Sequence, residues 1–423
     1  MRGWHIRNHS GVAALLASVL LALGGAGCSN PFGSDSGPGG GVGTGRGGGD
    51  VPAGIPGQFG RLYYSDLTYL GAFKCPDRSS WAFAKGLLSY VPTKNQLIAC
   101  GKSFAWIDIP QPVNSRNPGD LIEAYSPQGG MFDPMPAVNS ALSPAGSLGG
   151  ITWLNGRLWI ATWEFYNVAG RDNLGICSFD DNFGDPRAAW RVGPSNVNGP
   201  SPDVFHCNKT HDYIMRVPQD WAGAYAPGKE LASGRHREAG AFGGGRGPAL
   251  YAFEANDLAP HGTDLNGVPL MFFRENDSAA RWPQYRKADN YRCIWISRGN
   301  RHAVIVGAMK GLGPDYYGLG PPCTPDKGWH ADPYEPRMYF MDVNELGEVA
   351  LGDRLPWQVT AYDEVVPTEM WGYGPNEDPQ CKSEWFRDWA WDEERGLLYA
   401  SQPRAYEVPG PSNRMIVHVW QVN

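Results

Sequence analysis

The chain of 423 residues carries 36 Lys and Arg against 43 Asp and Glu, a formal net charge of −7, and 12% of its residues are aromatic. An acidic balance without a basic cluster excludes the electrostatic attraction through which proteins bind nucleic acid or an anionic membrane surface. We therefore expect no nucleic-acid partner.

Residues 1–27 have the order of a secretory signal. Arg2 and Arg7 precede an apolar run over residues 12–23, and small residues follow it up to Cys28. The run is shorter than the roughly 20 residues that a membrane-spanning helix needs. It therefore predicts a cleaved export signal.

A Cys directly after small residues at the end of such a run resembles the lipobox of bacterial lipoproteins. The resemblance implies cleavage before Cys28, lipidation of that residue and attachment to the membrane through the lipid. Ser29 implies sorting to the outer membrane if the cell has two membranes. Gly25 stands where the family usually has a branched aliphatic residue, so simple secretion is the alternative.

Residues 28–57 are rich in Gly and have few large apolar side chains, which predicts a flexible tether. Residues 58–423 exceed the usual size of a single core, yet they contain no second linker. A closed repeat architecture in one domain is consistent with both observations.

The body repeats one pattern, in which an apolar strand, a polar turn and a second strand predict a β-hairpin. The second of these hairpins turns at Asn155-Gly156, the strongest short hairpin signal. The predicted hairpins span residues 86–100, 150–161, 293–306 and 389–400.

Shorter outer strands follow the hairpins, often ending in an acidic or Asn-containing turn such as residues 343–345. We expect the final strand, residues 415–422, to close the ring by way of an N-terminal strand around residues 62–70, which would remove exposed edges. The predicted outer strands span residues 104–109, 174–179, 249–253 and 337–342.

The segments Gly156-Arg-Leu-Trp-Ile-Ala161 and Gly396-Leu-Leu-Tyr-Ala-Ser401 resemble motifs of the YVTN and WD40-like extracytoplasmic β-propellers of bacteria. The repeated hairpins and outer strands predict an all-β fold with a single β-propeller, in line with this resemblance, and the number of hairpins indicates about five irregular blades, six or seven being the alternatives. A degraded hairpin near residues 213–253 would supply the fifth blade. We expect no sustained helix in the body, and surface loops over residues 193–247.

Seven cysteines remain in the body, and outside the cytoplasm such spacings favour disulfides. Sequence order suggests Cys75 with Cys100 and Cys323 with Cys381, although connectivity is not deducible from the sequence. Because seven is odd, at least one thiol should be left over.

Carboxylates beside aromatic residues make one candidate catalytic set, formed by Asp180, Asp185, Glu384 and Asp388. Paired carboxylates supply the acid and base of glycoside cleavage, and neighbouring rings stack on sugar faces. The alternative is that these acids form solvated turns while the tryptophans fill the spaces between blades.

Candidate ligand-binding residues are Trp329, His330, Trp371 and Trp385. The first two end a segment rich in aromatics, Pro and Gly, which would line a binding pocket or pack its own rings as a surface loop. His206, Cys207, His211 and Asp212 lack a second ligand pair at metal spacing, so we predict neither a metal site nor a cofactor.

The sequence contains no nucleophile elbow, zinc-protease or kinase motif. The leading hypothesis is therefore a lipid-anchored binding propeller whose ligand is a glycan or an envelope protein. The alternatives are a polysaccharide hydrolase or lyase, and a structural subunit joined through a blade edge or an unpaired thiol.

Overall fold

The computed structural model describes residues 58–76, 86–100, 104–126, 147–163, 174–194, 207, 210–236, 247–273, 282–318, 329–373, 385–407 and 413–423. The chain divides into two units, Met1–Ile55 and Pro56–Asn423, and every described residue belongs to the second. Cys28, the export signal and the whole of the predicted tether lie outside the described residues and stay predictions.

Short β-strands dominate the described residues. They are β1 (Gly60–Arg61), β2 (Leu67–Lys74), β3 (Leu87–Val91), β4 (Gln96–Cys100), β5 (Phe104–Ile107), β6 (Ser147–Leu154), β7 (Arg157–Trp163), β8 (Ile176–Asp180), β9 (Arg187–Trp190), β10 (Tyr213–Arg216), β11 (Leu231–Arg235), β12 (Ala249–Phe253), β13 (Val268–Met271), β14 (Asn290–Arg298), β15 (Arg301–Gly311), β16 (Tyr316–Tyr317), β17 (Trp329–His330), β18 (Tyr334–Met341), β19 (Ala361–Val365), β20 (Trp389–Asp392), β21 (Leu397–Glu407) and β22 (Asn413–Val422).

Two α-helices and four short 3₁₀ helices accompany the strands in the described part of the chain. The α-helices are α1 (Gln219–Tyr225) and α2 (Val343–Leu351). The 3₁₀ helices are Tyr64–Asp66, Pro118–Asp120, Pro356–Gln358 and Thr368–Tyr373. None of the described helices is long and apolar enough to cross a membrane.

Five sheets form the blades of a five-bladed β-propeller, and they are antiparallel except where the two-residue strand β1 pairs in parallel with β15 of blade 4. From the inner to the outer strand, blade 1 is β3-β4-β5, blade 2 is β6-β7-β8-β9 and blade 3 is β10-β11-β12-β13. Blade 4 is β14-β15-β18-β19, and blade 5 is β20-β21-β22-β2. The inner strands β3, β6, β10, β14 and β20 contact one another in that order, and β20 contacts β3. The contacts close the ring and confirm the predicted fold class and blade number.

Ring closure joins the two ends of the described chain. Strand β2 pairs with β22 as the outer strand of blade 5, with Leu67 opposite Val422 and Lys74 opposite Ile416. The predicted N-terminal strand is thus confirmed, although it begins and ends several residues later than the sequence suggested. The pairing covers the edge of β22, which would otherwise present free N–H and C=O groups.

The apolar core lies in layers between neighbouring blades, because side chains alternate between the two faces of each strand. The layer between blades 5 and 1 contains Leu88, Ala99 and Val417. Another, between blades 2 and 3, contains Trp159 and Tyr251. The four predicted hairpins are all present, and their turns place Asn95, Asn155 and Gly396 at positive φ, as tight turns require.

Helix α2 was not expected, because residues 343–345 read as a turn after a strand. The Asp342 carboxylate caps this helix by accepting a hydrogen bond from the Asn344 amide at 2.9 Å, and Gly352 at φ 85° ends it. Val343, Leu346 and Val349 place apolar side chains on one face of α2, and all three are buried.

The prediction of surface loops over residues 193–247 is wrong for residues 213–235. This stretch holds β10, α1 and β11, and Tyr213 and Trp221 are fully buried. The degraded hairpin predicted near residues 213–253 is present as blade 3, with α1 between its first two strands.

The predicted disulfide between Cys75 and Cys100 is also wrong. Cys75 is a buried free thiol in the core layer between blades 5 and 1, whereas Cys100 lies in the layer between blades 1 and 2. The two cysteines therefore lie on opposite faces of blade 1, and no disulfide joins two described cysteines. Cys323 and Cys381 lie outside the described residues.

Candidate functional site

A narrow cavity follows the axis of the propeller, and its volume of about 30 Å³ leaves room for little more than one water molecule. Every inner strand contributes to its wall, represented by Ser89, Thr152, Ile214, Ile294 and Ala390. Because these residues are far apart in the sequence, only closure of the ring brings them together.

The axial cavity opens at the carboxyl ends of the inner strands. A wider space of about 310 Å³ is lined there by Pro92 and Glu394. It shares Tyr90, Arg216 and Glu393 with the axial cavity. The shared residues make the two spaces one site, and we call the wider outer part the axial mouth.

An ion pair crosses the axial mouth. Arg216 of blade 3 lies 3.3 Å from the Glu393 carboxylate of blade 5, and the Ser297 hydroxyl of blade 4 donates to the same carboxylate at 3.4 Å. Blades 3 and 5 are not neighbours in the ring, so this pair spans the axis. The Arg216 and Glu393 side chains are 38% and 53% exposed, which keeps both groups accessible to a ligand at the mouth.

Four tryptophans that line the axial cavity have indole N–H groups without a hydrogen-bond acceptor among the described residues. They are Trp153, Trp295, Trp389 and Trp391. The buried Trp190 and Trp221 indoles do find acceptors, at the Ala259 carbonyl (2.9 Å) and the Val343 carbonyl (2.8 Å), whereas the indole of Trp282, which lies outside the cavity, lacks one as well. Unpaired buried donors are uncommon in folded proteins, so their collection around one cavity indicates a site that lacks its acceptors.

Charged side chains are buried at the other end of the axis, beside the amino ends of the inner strands. We call Asp212, His236, Arg292 and Asp388 the axial charge cluster; the least buried of them, His236, is 4% exposed. The Asp212 Oδ2 atom accepts from the His236 amide at 2.8 Å and lies 2.6 Å from its Nδ1. Arg292 donates from Nε to the Arg387 carbonyl at 3.0 Å and from Nη1 to the Tyr291 carbonyl at 2.9 Å.

Burial shifts the pKa of two groups in this cluster. It raises the pKa of Asp388 to about 7, against hydrogen bonds from the Leu88 and Trp389 amides and the charge of Arg292, which favour the ionised carboxylate. It lowers the pKa of Arg292 to about 9, helped by the neighbouring charge of Arg387. Perturbed titratable groups gathered in one place are a common property of functional sites.

His211 stands next to the cluster and is neutral, because burial lowers its pKa to about 3. Its Nε2 accepts a hydrogen bond from the Val192 amide at 3.2 Å, so Nδ1 carries the proton. Among the described residues, no three His, Cys, Asp or Glu side chains are grouped so that they could hold a metal ion. His206 lies outside the described residues.

Asp180 and Asp185 lie in the outer turn between β8 and β9 of blade 2. The Asp180 carboxylate accepts from the Asn182 amide at 2.9 Å and the Gly184 amide at 2.6 Å. Asp185 pairs with Arg157 and Arg187, whose hydrogen bonds lower its pKa. Both acids therefore stabilise a turn.

Asp388 has a different position, since it immediately precedes the inner strand of blade 5 and its Oδ2 accepts from the Leu88 amide at 3.0 Å. The turn that holds Asp180 and Asp185 follows β8, which runs in the direction of the inner strands, so this turn is at the carboxyl end of the ring. The described residues thus do not place Asp388 beside either acid. Glu384 lies outside them.

Trp329 and His330 form β17, which pairs with β16 in a two-stranded sheet attached to blade 4. The Lys287 ammonium lies 4.3 Å from the centre of the Trp329 ring, and the Tyr316 ring lies 5.4 Å from that of His330. Trp385 is buried in the core between blades 4 and 5. Trp371 is in the 3₁₀ helix Thr368–Tyr373, and its side chain is not among those described.

The sequence analysis identified Asp388, but it missed Arg216, Arg292 and the Asp212–His236 pair as site residues. The sequence signal for these residues was weak, because each of them lies at the end of a different strand. A polar residue at the start or end of a predicted inner strand was the one feature that could have marked them.

Neither a family model nor a curated protein matches this chain. A search of solved structures found an auxiliary nutrient binding protein from Bacteroides thetaiotaomicron, with 10% sequence identity and a TM-score of 0.32. The match covers 86% of this chain and 76% of that one. So low a TM-score supports no inference about this chain's fold or ligand.

Proposed function

We propose that the chain is an exported binding protein, held at the cell envelope by a lipid on Cys28, whose propeller binds a glycan at the axial mouth, with hydroxyl groups of the glycan reaching into the narrow axial cavity. The observation that carries the glycan assignment is the set of four unpaired indole N–H donors around the cavity. The export signal and the resemblance to a lipobox support the location.

The chemistry of the cavity wall favours a sugar. Indole N–H groups only donate, so the ligand has to supply acceptor oxygens. Indole rings also present apolar faces, on which the C–H faces of a sugar pack. A ligand that combines an apolar face with many hydroxyl oxygens satisfies both requirements.

The axial mouth adds charged partners for sugar hydroxyls. Arg216 donates hydrogen bonds, whereas the Glu393 and Glu394 carboxylates accept them. Hydrogen bonds to charged groups are stronger than those between neutral groups, and they contribute about 1.5–3 kcal/mol each. The mouth would therefore fix the orientation of a sugar whose ring lies against Tyr90 and Trp391.

A polysaccharide hydrolase or lyase is less well supported. Such an enzyme would need two carboxylates across one pocket, roughly 5–9.5 Å apart. Asp180 and Asp185 are instead engaged in an outer turn of blade 2, away from Asp388 at the axis. The candidate acids that the structure describes therefore do not lie across one pocket, which favours binding over glycoside cleavage by this set.

A glycan array tests the proposal. The mature chain, starting at residue 28, is applied to neutral hexose oligosaccharides and to oligosaccharides that contain uronic acids. We expect selective binding, and replacement of Trp391 by Ala should weaken it about 30-fold, as truncation of an aromatic hot spot does. Tyr125→Ala is the control, because Tyr125 is 66% exposed and does not line the axial cavity. Binding of no glycan, or equal affinities of the two variants, would overturn the proposal.

A further inference from the structure

The ion pair that crosses the axial mouth leaves hydrogen-bonding capacity unused on both of its members. Nη2 of Arg216 lies 3.3 Å from Oε2 of Glu393, and Nε of Arg216 is buried without a hydrogen-bond partner among the described residues. We propose that Arg216 and Glu393 determine the specificity of the mouth, because they bind two adjacent hydroxyl groups of a neutral sugar and exclude a sugar that carries a carboxylate. The inference rests on the proposed function and specifies the class of sugar.

The mouth has room for one sugar unit, and both residues of the pair are accessible there. Its volume of about 310 Å³ is at the lower end of the range for small-molecule sites. Arg216 and Glu393 line the mouth as well as the narrow axial cavity, so they stand where the two spaces join. Their side chains are 38% and 53% exposed, and a ligand can therefore reach them from solvent.

The pair is looser than an ion pair that serves the fold alone. An N–H···O hydrogen bond is usually about 2.7–3.2 Å long. The Arg216–Glu393 contact exceeds this range, and the Ser297 hydroxyl lies 3.4 Å from the same carboxylate. By comparison, Arg61 lies 2.7 Å from Asp342. Exposed ion pairs contribute little to stability even at short distances, so a structural role does not account for this pair.

Arg216 offers two parallel donors to a ligand. Nε and Nη2 lie on one edge of the guanidinium, the edge that makes paired hydrogen bonds. Glu393 contacts Nη2 and leaves Nε without an acceptor. Strand pairing fixes the start of this side chain, because Arg216 is the last residue of β10 and is paired with Leu231 of β11. The oxygens of two adjacent hydroxyl groups fit an edge of this kind.

Glu393 supplies the acceptor that the same hydroxyl groups need. It directly follows β20, in a turn where the Asp392 carboxylate accepts from the Arg395 amide at 3.1 Å. A hydroxyl group that accepts a hydrogen bond from Arg216 still has a hydrogen to donate. One sugar unit can therefore bridge Arg216 and Glu393, and their opposite charges then stay next to each other.

The charges around the mouth disfavour a ligand carboxylate. Its described lining contains one cation, Arg216, and the three carboxylates of Asp392, Glu393 and Glu394. Arg395 compensates Asp392 in an ion pair, and Arg216 compensates Glu393, so one negative charge is left in excess. A uronate would compete with Glu393 for Arg216 and would be repelled by Glu394. Neutral hydroxyl groups meet neither obstacle.

The first test is the preference for neutral sugars. The probes are the methyl pyranosides of glucose and galactose and the matching methyl glucuronide and galacturonide, with affinities measured by NMR titration. We expect the wild-type protein to bind the neutral members more tightly. Glu393→Gln removes the competing charge and keeps an acceptor oxygen, so the uronides should gain about 3-fold in affinity relative to the neutral pyranosides. An affinity ratio that this variant leaves unchanged would overturn the inference.

The second test is coupling to two adjacent hydroxyl groups. Arg216→Met should weaken binding of the best neutral pyranoside about 10-fold, the loss of a hydrogen bond from a charged group. Two monodeoxy derivatives that lack neighbouring hydroxyl groups should bind the wild-type protein more weakly than their parent, yet bind Arg216→Met as well as the parent does. If Arg216→Met does not fold, the same cycle with Glu393→Gln decides.

Arg354→Met and Glu348→Gln are the matched controls. This pair is also partly exposed, at 27% and 46%, and it lines neither the mouth nor the axial cavity. Both variants should keep the wild-type affinities and preference. Deoxy losses that are equal in the wild type and Arg216→Met, or the absence of binding by every pyranoside, would overturn the inference alone. An array that binds no glycan would overturn the proposed function as well.

Discussion

Asp388 couples the stability of the ring to pH. Burial raises its pKa to about 7, well above the value of about 3.9 for an exposed Asp, so the folded chain holds a proton that the unfolded chain has released. The stabilising contribution of Asp388 to the free energy of unfolding is therefore complete below about pH 4 and is lost as the pH rises to 7. Between these limits the folded state should lose a few kcal/mol of stability through this residue.

Asp388→Asn isolates that effect, since the amide keeps the acceptor for the Leu88 amide and does not titrate. Urea denaturation of both proteins at pH 4 and pH 7.5 should show the variant gaining stability relative to the wild type as the pH rises. An unchanged difference between the two proteins at both pH values would contradict the buried, protonated carboxyl.

Among the described glycines, Gly234 leaves the least room for a Cβ atom. A Cβ atom there would overlap the Ala249 carbonyl oxygen and the Tyr213 hydroxyl, which themselves form a hydrogen bond. We expect Gly234→Ala to lower the free energy of unfolding by about 1–3 kcal/mol, the usual range for overpacking. Chemical denaturation measures it.

Gly223→Ala provides the matched control. Gly223 is exposed in α1, and a Cβ atom there would meet nothing within 4 Å. Because Ala favours a helix over Gly, this variant should be about 0.5–1 kcal/mol more stable than the wild type. Similar losses in the two variants would argue against the close packing of β10, β11 and β12.

At the scale of elements, β2 closes the ring and should determine whether the propeller folds cooperatively. A chain that begins at residue 76 lacks β2 and leaves the edge of β22 unpaired, so we expect aggregation and a broad unfolding transition. A chain that begins at residue 58 keeps β2 and should unfold in one sharp transition. The two chains are compared by size-exclusion chromatography and by denaturation. Identical midpoints of their unfolding transitions would contradict closure of the ring by β2.

The hairpins were predictable because each signal is local. Residues 150–161 place two predominantly apolar segments on either side of Asn155-Gly156, and the structure turns there. Blade 3 was harder, since α1 separates β10 from β11 and no turn dipeptide marks the connection. Helix α2 was missed for a similar reason, because its cap at Asp342 directly follows β18 and resembles an acidic turn.

The site was less predictable than the fold, since its residues meet only through tertiary contacts. Arg216 and Glu393 are 177 positions apart in the sequence and pair across the axis. Asp388 was identified from its aromatic neighbours, but the partner that matters, Arg292, lies on another blade. Whether a polar residue points to the axis depends on how the ring closes, and no local sequence pattern indicates that.

For the whole molecule, the account depends on a ligand that enters the axis. The most direct measurement is an NMR titration of the protein carrying ¹⁵N-labelled tryptophan with the best glycan from the array. The indole N–H signals of Trp153, Trp295 and Trp391 should shift, because these groups gain an acceptor. Those of Trp190 and Trp221 should stay, because the Ala259 and Val343 carbonyls already accept from them. Shifts confined to tryptophans outside the axis, or none at saturation, would contradict the axial site.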